Sequence, residues 1–110
     1  MSRRLPPIST LRALEAAARC LSFTKAAKQL NVTQSAISHQ IKLLEDLWGL
    51  KMFERRGQRL IVTRAGQDMA DVAREFFSRI DTTLDSLRAV SPRQPLRLDT
   101  FTLPGDVTLD

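Results

Sequence analysis

Ser22-Phe23-Thr24-Lys25-Ala26-Ala27-Lys28-Gln29-Leu30-Asn31-Val32-Thr33-Gln34-Ser35-Ala36-Ile37-Ser38-His39-Gln40-Ile41-Lys42-Leu43-Leu44-Glu45-Asp46-Leu47-Trp48 is the stretch that decides the fold. Phe23, Ala26, Ala27 and Leu30 fall at i, i+3, i+4 and i+7, the spacing of a short amphipathic helix, and Ser22 precedes them as its cap. Side chains as small as Ala26 and Ala27 let a second helix cross closely. Asn31-Val32-Thr33 reads as a turn in which Asn31 tolerates the left-handed conformation, Val32 plugs the core and Thr33 caps the next helix. That next helix is apolar along Ile37, Ile41, Leu44 and Trp48 and polar at Gln34, Ser35, Ser38, His39 and Lys42, with Gly49 as its expected C-cap. Helix, tight turn and polar-fronted helix are the parts of a helix-turn-helix.

On the N-terminal side, Pro6-Pro7 is followed by Ser9 and Thr10, either of which is expected to cap a first helix. Its apolar face is expected at Leu11, Leu14, Ala17, Ala18 and Leu21, and its end near Leu21. On the C-terminal side, Met52-Phe53 and Leu60-Ile61-Val62 are β-like and flank the charged stretch Glu54-Arg55-Arg56-Gly57-Gln58-Arg59, the pattern of a two-stranded wing. Phe23, Trp48, Phe53 and the small Cys20 are expected in the core.

Thr63 is placed to cap a fourth helix, along which Val72, Ala73, Phe76, Phe77, Ile80, Leu84 and Leu87 form an apolar stripe. So long a stripe exceeds what one small domain covers. At roughly 25 cal/mol per Å² of buried apolar surface, leaving it wet forfeits several kcal/mol, so a partner helix, and hence a homodimer, is expected. Ser91-Pro92-Arg93-Gln94-Pro95 breaks the helix, and Leu96 to Phe101 reads as a single strand. The expected fold is mainly α: a winged helix-turn-helix of three helices and a two-stranded wing over residues 5–63, a linker or dimerisation helix over 64–89, and a hinge with the truncated start of a further domain over 90–110.

The chain has 110 residues, 17 Lys and Arg, and 12 Asp and Glu, a net charge of +5. That charge is polarised: Met1 to Arg64 carries 12 basic and 4 acidic residues, and Ala65 to Asp110 carries 5 basic and 8 acidic. A basic reading head joined to an acidic segment that stays away from phosphate fits such a distribution. One cysteine, Cys20, excludes an intramolecular disulfide, and one histidine, His39, leaves no Cys/His cluster for zinc, so no metal is expected. No signal-peptide pattern and no run of 18 apolar residues is present, which predicts a cytoplasmic chain with no membrane partner.

In a helix-turn-helix the second helix enters the major groove of double-stranded DNA, and its first turns reach base edges. Gln34 suits paired hydrogen bonds to adenine, Ser35 and Ser38 suit bases or phosphates, and His39 and Lys42 suit guanine acceptors or the backbone. Arg55 and Arg56 on the wing form the kind of basic cluster that phosphate contacts need. No nucleophile–base pair, Gly-rich phosphate loop, metal cluster or carboxylate pair in a cleft is visible, so neither an enzyme nor a cofactor is expected.

Three blocks carry a resemblance to a known family: Leu21 to Ala27; Val32-Thr33-Gln34-Ser35-Ala36-Ile37-Ser38-His39-Gln40-Ile41-Lys42 with Leu44-Glu45; and Leu50 to Phe53, Arg55 and Thr63-Arg64-Ala65-Gly66. Over about Leu5 to Leu87 the chain resembles the LysR-type transcriptional regulators, in particular the branch related to the glycine-cleavage activator. The resemblance implies binding to partly palindromic promoter DNA, with the fourth helix pairing antiparallel to its copy. By position it implies that Gln34, Ser35, Ser38 and His39 face bases, that Thr33 and Lys42 assist, and that Arg55 and Arg56 touch backbone or minor groove. Two positions depart from the family pattern: His39 stands where many members have Arg, and Ser35 where many have Pro. Members of the family are normally several-fold longer and carry a two-lobed effector domain, so no small-molecule effector is expected in this chain. A rival reading is a truncated interaction subunit that dimerises with full-length paralogues and modulates them.

Overall fold

The computed structural model describes residues 5–90, with the element order α1 (Ile8–Cys20), α2 (Phe23–Leu30), α3 (Gln34–Trp48), β1 (Phe53–Arg56), β2 (Arg59–Val62) and α4 (Arg64–Val90). This is the expected winged helix-turn-helix followed by a long helix. The hinge and strand expected beyond Val90 lie outside the described residues. The chain divides into two units within α4, between Phe76 and Phe77.

In the first unit, α1 starts earlier than the capping signal suggested. Pro7 is the N-cap residue and supplies no side-chain bond. Thr10 is not a cap: it lies inside the first turn, fully buried, with its amide and its hydroxyl both donating to the Pro7 carbonyl at 3.0 and 2.6 Å. The buried face of α1 is therefore Thr10, Ala13, Leu14, Ala16 and Ala17, rotated from the expected stripe. Leu21 is half exposed because it is the left-handed C-cap (φ 50), with its amide bonded to Ala17 O at 2.8 Å.

The next two caps form as expected. The Ser22 hydroxyl accepts from Lys25 N at 3.1 Å and the Thr33 hydroxyl from Ala36 N at 3.0 Å. Asn31 takes the left-handed conformation (φ 60), its amide bonded to Lys28 O and the Val32 amide to Ala27 O at 3.0 Å, the paired return bonds of a Schellman turn. Those bonds hold Val32 on the rim, 47% exposed, and it plugs nothing. Gly49 (φ 68) ends α3.

Ala13, Leu14, Ala16 and Ala17 of α1, Ala26 and Ala27 of α2, and Ile37, Ile41 and Leu44 of α3 form the core with Met52, Phe53 and Ala70. Six of these twelve are alanines, so the close helix crossings are made by backbone approach and the large fillers are few. Phe23 and Trp48 pack against this core part-buried, and Cys20 is half-buried rather than enclosed.

The wing is tighter than its charge pattern suggested. β1 and β2 pair antiparallel in register from Phe53↔Val62 to Arg56↔Arg59, so Glu54, Arg55 and Arg56 are strand residues and only Gly57-Gln58 turn. Gly57 alone of the two has positive φ (61), as expected of a two-residue hairpin with Gly at its first central position.

Two side chains fasten the wing to the helices. Glu45 Oε2 accepts from Met52 N at 2.8 Å and Phe53 N at 3.4 Å. The Thr63 hydroxyl faces Lys51 O at 2.6 Å and Met52 O at 3.1 Å and accepts from Gly66 N at 2.9 Å, so it caps α4 and staples it to the wing together. Gly66 is required by contact: a Cβ there would meet the Met52 carbonyl oxygen and lie 2.9 Å from Val62 Cγ2.

The first turns of α4 bury Gly66, Ala70 and Ala73. Val72 and Phe76 are exposed. In the second unit, whose described part is α4 from Phe77 to Val90, Phe77 is half-buried and Ile80, Leu84 and Leu87 are exposed. No described helix is long and apolar enough to cross a membrane.

Candidate nucleic-acid interface

Burial of Ile37, Ile41 and Leu44 fixes which way α3 faces. Gln34, Ser35, Ser38, His39 and Lys42 are all exposed, at i, i+1, i+4, i+5 and i+8 along the opposite side of its first three turns. Thr33 is exposed at the head of this face, its hydroxyl engaged in the cap. Lys42 lies 3.7 Å from Asp46 one turn on; both are well exposed, so the pair is weak and the ammonium is readily drawn to another anion.

The structure brings Arg55 to this face and leaves Arg56 apart. Successive strand residues point to opposite sides, so Arg55 shares a side with Phe53 and Arg56 with Glu54. The Arg55 guanidinium stands over the Phe23 ring, 5.9 Å from its centroid, and Phe23 meets Phe53 edge to face at 5.5 Å. Phe23, Ser38, Ile41, Lys42, Glu45, Phe53 and Leu60 line a shallow groove between α3 and the wing. Arg56 instead reaches Glu54 at 3.9 Å, near the hairpin tip opposite Arg59.

Three neighbours were missed by sequence reasoning. Thr24 in α2 donates from its hydroxyl to Gln34 Oε1 at 3.1 Å, a bond across the turn that no motif announces. Phe23 is a platform under Arg55 as well as a core residue; the apolar spacing that marked it says nothing of the cation above it. Arg59 stands exposed opposite Arg56 at the tip, and the charge cluster around Gly57 was its available signal.

The dimerisation candidates separate by burial. Val72, Phe76, Ile80, Leu84 and Leu87 are exposed and Phe77 is half-buried, whereas Ala73, at 2%, is already packed within its own chain. Among the described residues no group of three or more His, Cys, Asp or Glu stands close enough to hold a metal ion.

An exposed polar helix face set over a buried apolar one, with a cation-bearing hairpin at its flank, defines a winged helix-turn-helix protein. The family model for the bacterial regulatory helix-turn-helix protein of the lysR family matches residues 8–67, and the chain belongs to that family. It is 50% identical over 96 residues to the glycine cleavage system transcriptional activator of Escherichia coli (strain K12), a match covering 87% of this chain and 32% of that protein. It is 43% identical over 98 residues to the HTH-type transcriptional activator AmpR of Yersinia enterocolitica, covering 89% and 33%. The chain thus spans about a third of the length of these relatives. Among solved structures, the BenM_DBD/benA site 1 DNA complex superposes with a TM-score of 0.71 at 27% identity, covering 80% of this chain and 99% of that one.

Proposed function

We propose that this chain is the DNA-reading portion of a transcriptional regulator, binding partly palindromic promoter DNA as a dimer and catalysing nothing. The observation that carries the proposal is the face of α3: five polar side chains, all exposed, on the side away from Ile37, Ile41 and Leu44. The relatives named as transcriptional activators and the superposition on a DNA complex support it.

In this reading residues 5–63 form the reading head. The first turns of α3 lie in the major groove, about 12 Å wide, with Gln34, Ser35, Ser38 and His39 toward base edges and Thr33 and Lys42 toward the backbone. Arg55, held beside the same face, and Arg56 at the wing tip contact phosphate or the adjacent minor groove. The helix over 64–89 pairs with a second copy through Val72, Ile80, Leu84 and Leu87, with Phe76 and Phe77 alongside. We place the protein in the bacterial cytoplasm, where its DNA partner is.

Selection of binding sites from a random DNA pool with the purified chain, sequenced at physiological salt, tests this directly. The expected product is an inverted repeat whose half-sites lie a helical turn or more apart. A chain that dimerises yet enriches no sequence overturns the proposal and favours a subunit that acts by pairing with full-length relatives through the same α4 residues.

A further inference from the structure

Thr24 and Gln34 lie ten positions apart on different helices, and their side chains meet at 3.1 Å with the Thr24 hydroxyl donating to Gln34 Oε1. Both are held by rigid backbone. Thr24 is in the first turn of α2, fixed by the Ser22 cap and by the buried Ala26 and Ala27; Gln34 opens α3 directly after its cap, Thr33. Both side chains are exposed, so the bond is not needed to satisfy a buried group.

We infer that Thr24 is a specificity-determining positioning residue, holding the Gln34 amide ready for a base edge. The inference rests on the base-reading role proposed above for Gln34. A glutamine amide carries two acceptor lone pairs on oxygen and two protons on nitrogen. With one lone pair occupied by Thr24, Oε1 keeps the other and Nε2 keeps both protons. What remains is one acceptor beside one donor, the pair that the N6 amino group and N7 of adenine require in the major groove. Glutamine is also among the side chains that lose most rotamer freedom when ordered, and a side chain ordered before DNA arrives has less of that cost left to meet on binding. Thr24 therefore acts on the discrimination at one base pair and not on the attraction to phosphate.

The test measures binding of the whole chain to the selected site, to the same site with the Gln34-read base pair changed, and to random DNA. Gln34→Ala identifies that base pair. Thr24→Val, which keeps the shape and removes the hydroxyl, is expected to lower the preference at that pair about three- to tenfold, the factor that one net hydrogen bond supplies. Binding to random DNA should change less than about twofold, since its phosphate contacts are untouched. Thr24→Ser, which restores the hydroxyl, is expected to restore the preference. Side-chain amide relaxation of Gln34 in the free protein, expected to show greater mobility in Thr24→Val than in Thr24→Ser, reports the same bond without DNA. Thr24→Val retaining the full preference overturns the inference, as does an equal loss on cognate and random DNA, which would make Thr24 a direct phosphate contact. If Gln34→Ala itself leaves every base preference intact, the base-reading assignment falls, and that outcome is distinct from a failure of Thr24 alone.

Discussion

At the scale of single residues, the positions that matter most for folding are those where another backbone comes close. Gly66 is the clearest, because a Cβ would meet the Met52 carbonyl oxygen, a backbone atom that has nowhere to move while Thr63 N and the Thr63 hydroxyl hold it. Gly66→Ala is expected to destabilise the chain by about 1–3 kcal/mol, the usual range for overpacking, even though alanine is the better helix former. Urea denaturation checks it, and an unchanged or raised midpoint would show that the wing and α4 are not closely apposed. Glu45 belongs here too, since its carboxylate is the acceptor for the amides of Met52 and Phe53, both buried residues. Glu45→Ala is expected to cost about 1–3 kcal/mol by leaving buried donors unmet, and Glu45→Gln, which keeps an acceptor oxygen, less. The same denaturation series separates the two.

At the scale of elements, the wing and α2 are coupled through an aromatic pair with a cation on top. Phe23→Leu removes both the edge-to-face contact with Phe53 and the platform under Arg55, while preserving an apolar residue at that site. DNA affinity is expected to fall by a few-fold on every sequence alike, with the double variant Phe23→Leu/Arg55→Ala no weaker than Arg55→Ala alone. Additive losses in that cycle would show that the ring does not act through the guanidinium. In α4, the Asp71 carboxylate accepts from Gln67 Nε2 and from Arg74, both at 2.9 Å, and these bonds lower its pKa below the ordinary carboxylate value. A depressed pKa contributes stability that is present above the unfolded-state value and is lost as pH falls through the folded one. Carboxyl chemical-shift titration should place Asp71 below the ordinary aspartate value, and Gln67→Ala should move it upward; an unmoved midpoint would contradict the assigned cause.

For the whole molecule, the leading expectation is assembly. Val72, Ile80, Leu84 and Leu87 are exposed apolar side chains on one long helix, more than a solitary helix stably shows to water. Ile80→Glu with Leu84→Glu is expected to convert a dimer into a monomer by sedimentation, and to reduce affinity for a two-half-site operator at least tenfold while sparing helix content. A variant that stays dimeric places the interface elsewhere. The uneven charge along the chain leads to a second expectation: affinity should fall steeply and linearly in log salt, with Arg55→Ala lowering the slope by about one phosphate contact.

The sequence by itself determined the parts whose information is local. Caps at Ser22, Thr33 and Thr63, the left-handed turn at Asn31, the C-cap at Gly49 and the buried spacing of Ile37, Ile41 and Leu44 are each set within a few residues, and the exposed polar face of α3 follows from that spacing alone. Motif order over most of the chain carried the family. Only the tertiary structure decided what depends on distant segments: that Thr10 is buried instead of capping, that Arg55 stands over the Phe23 ring, and that Thr24 reaches Gln34. The physical reason is common to all three. A side chain's partner across a helix crossing or a hairpin is fixed by the packing of small alanines and by strand register, and neither is encoded within the window of sequence that periodicity can read.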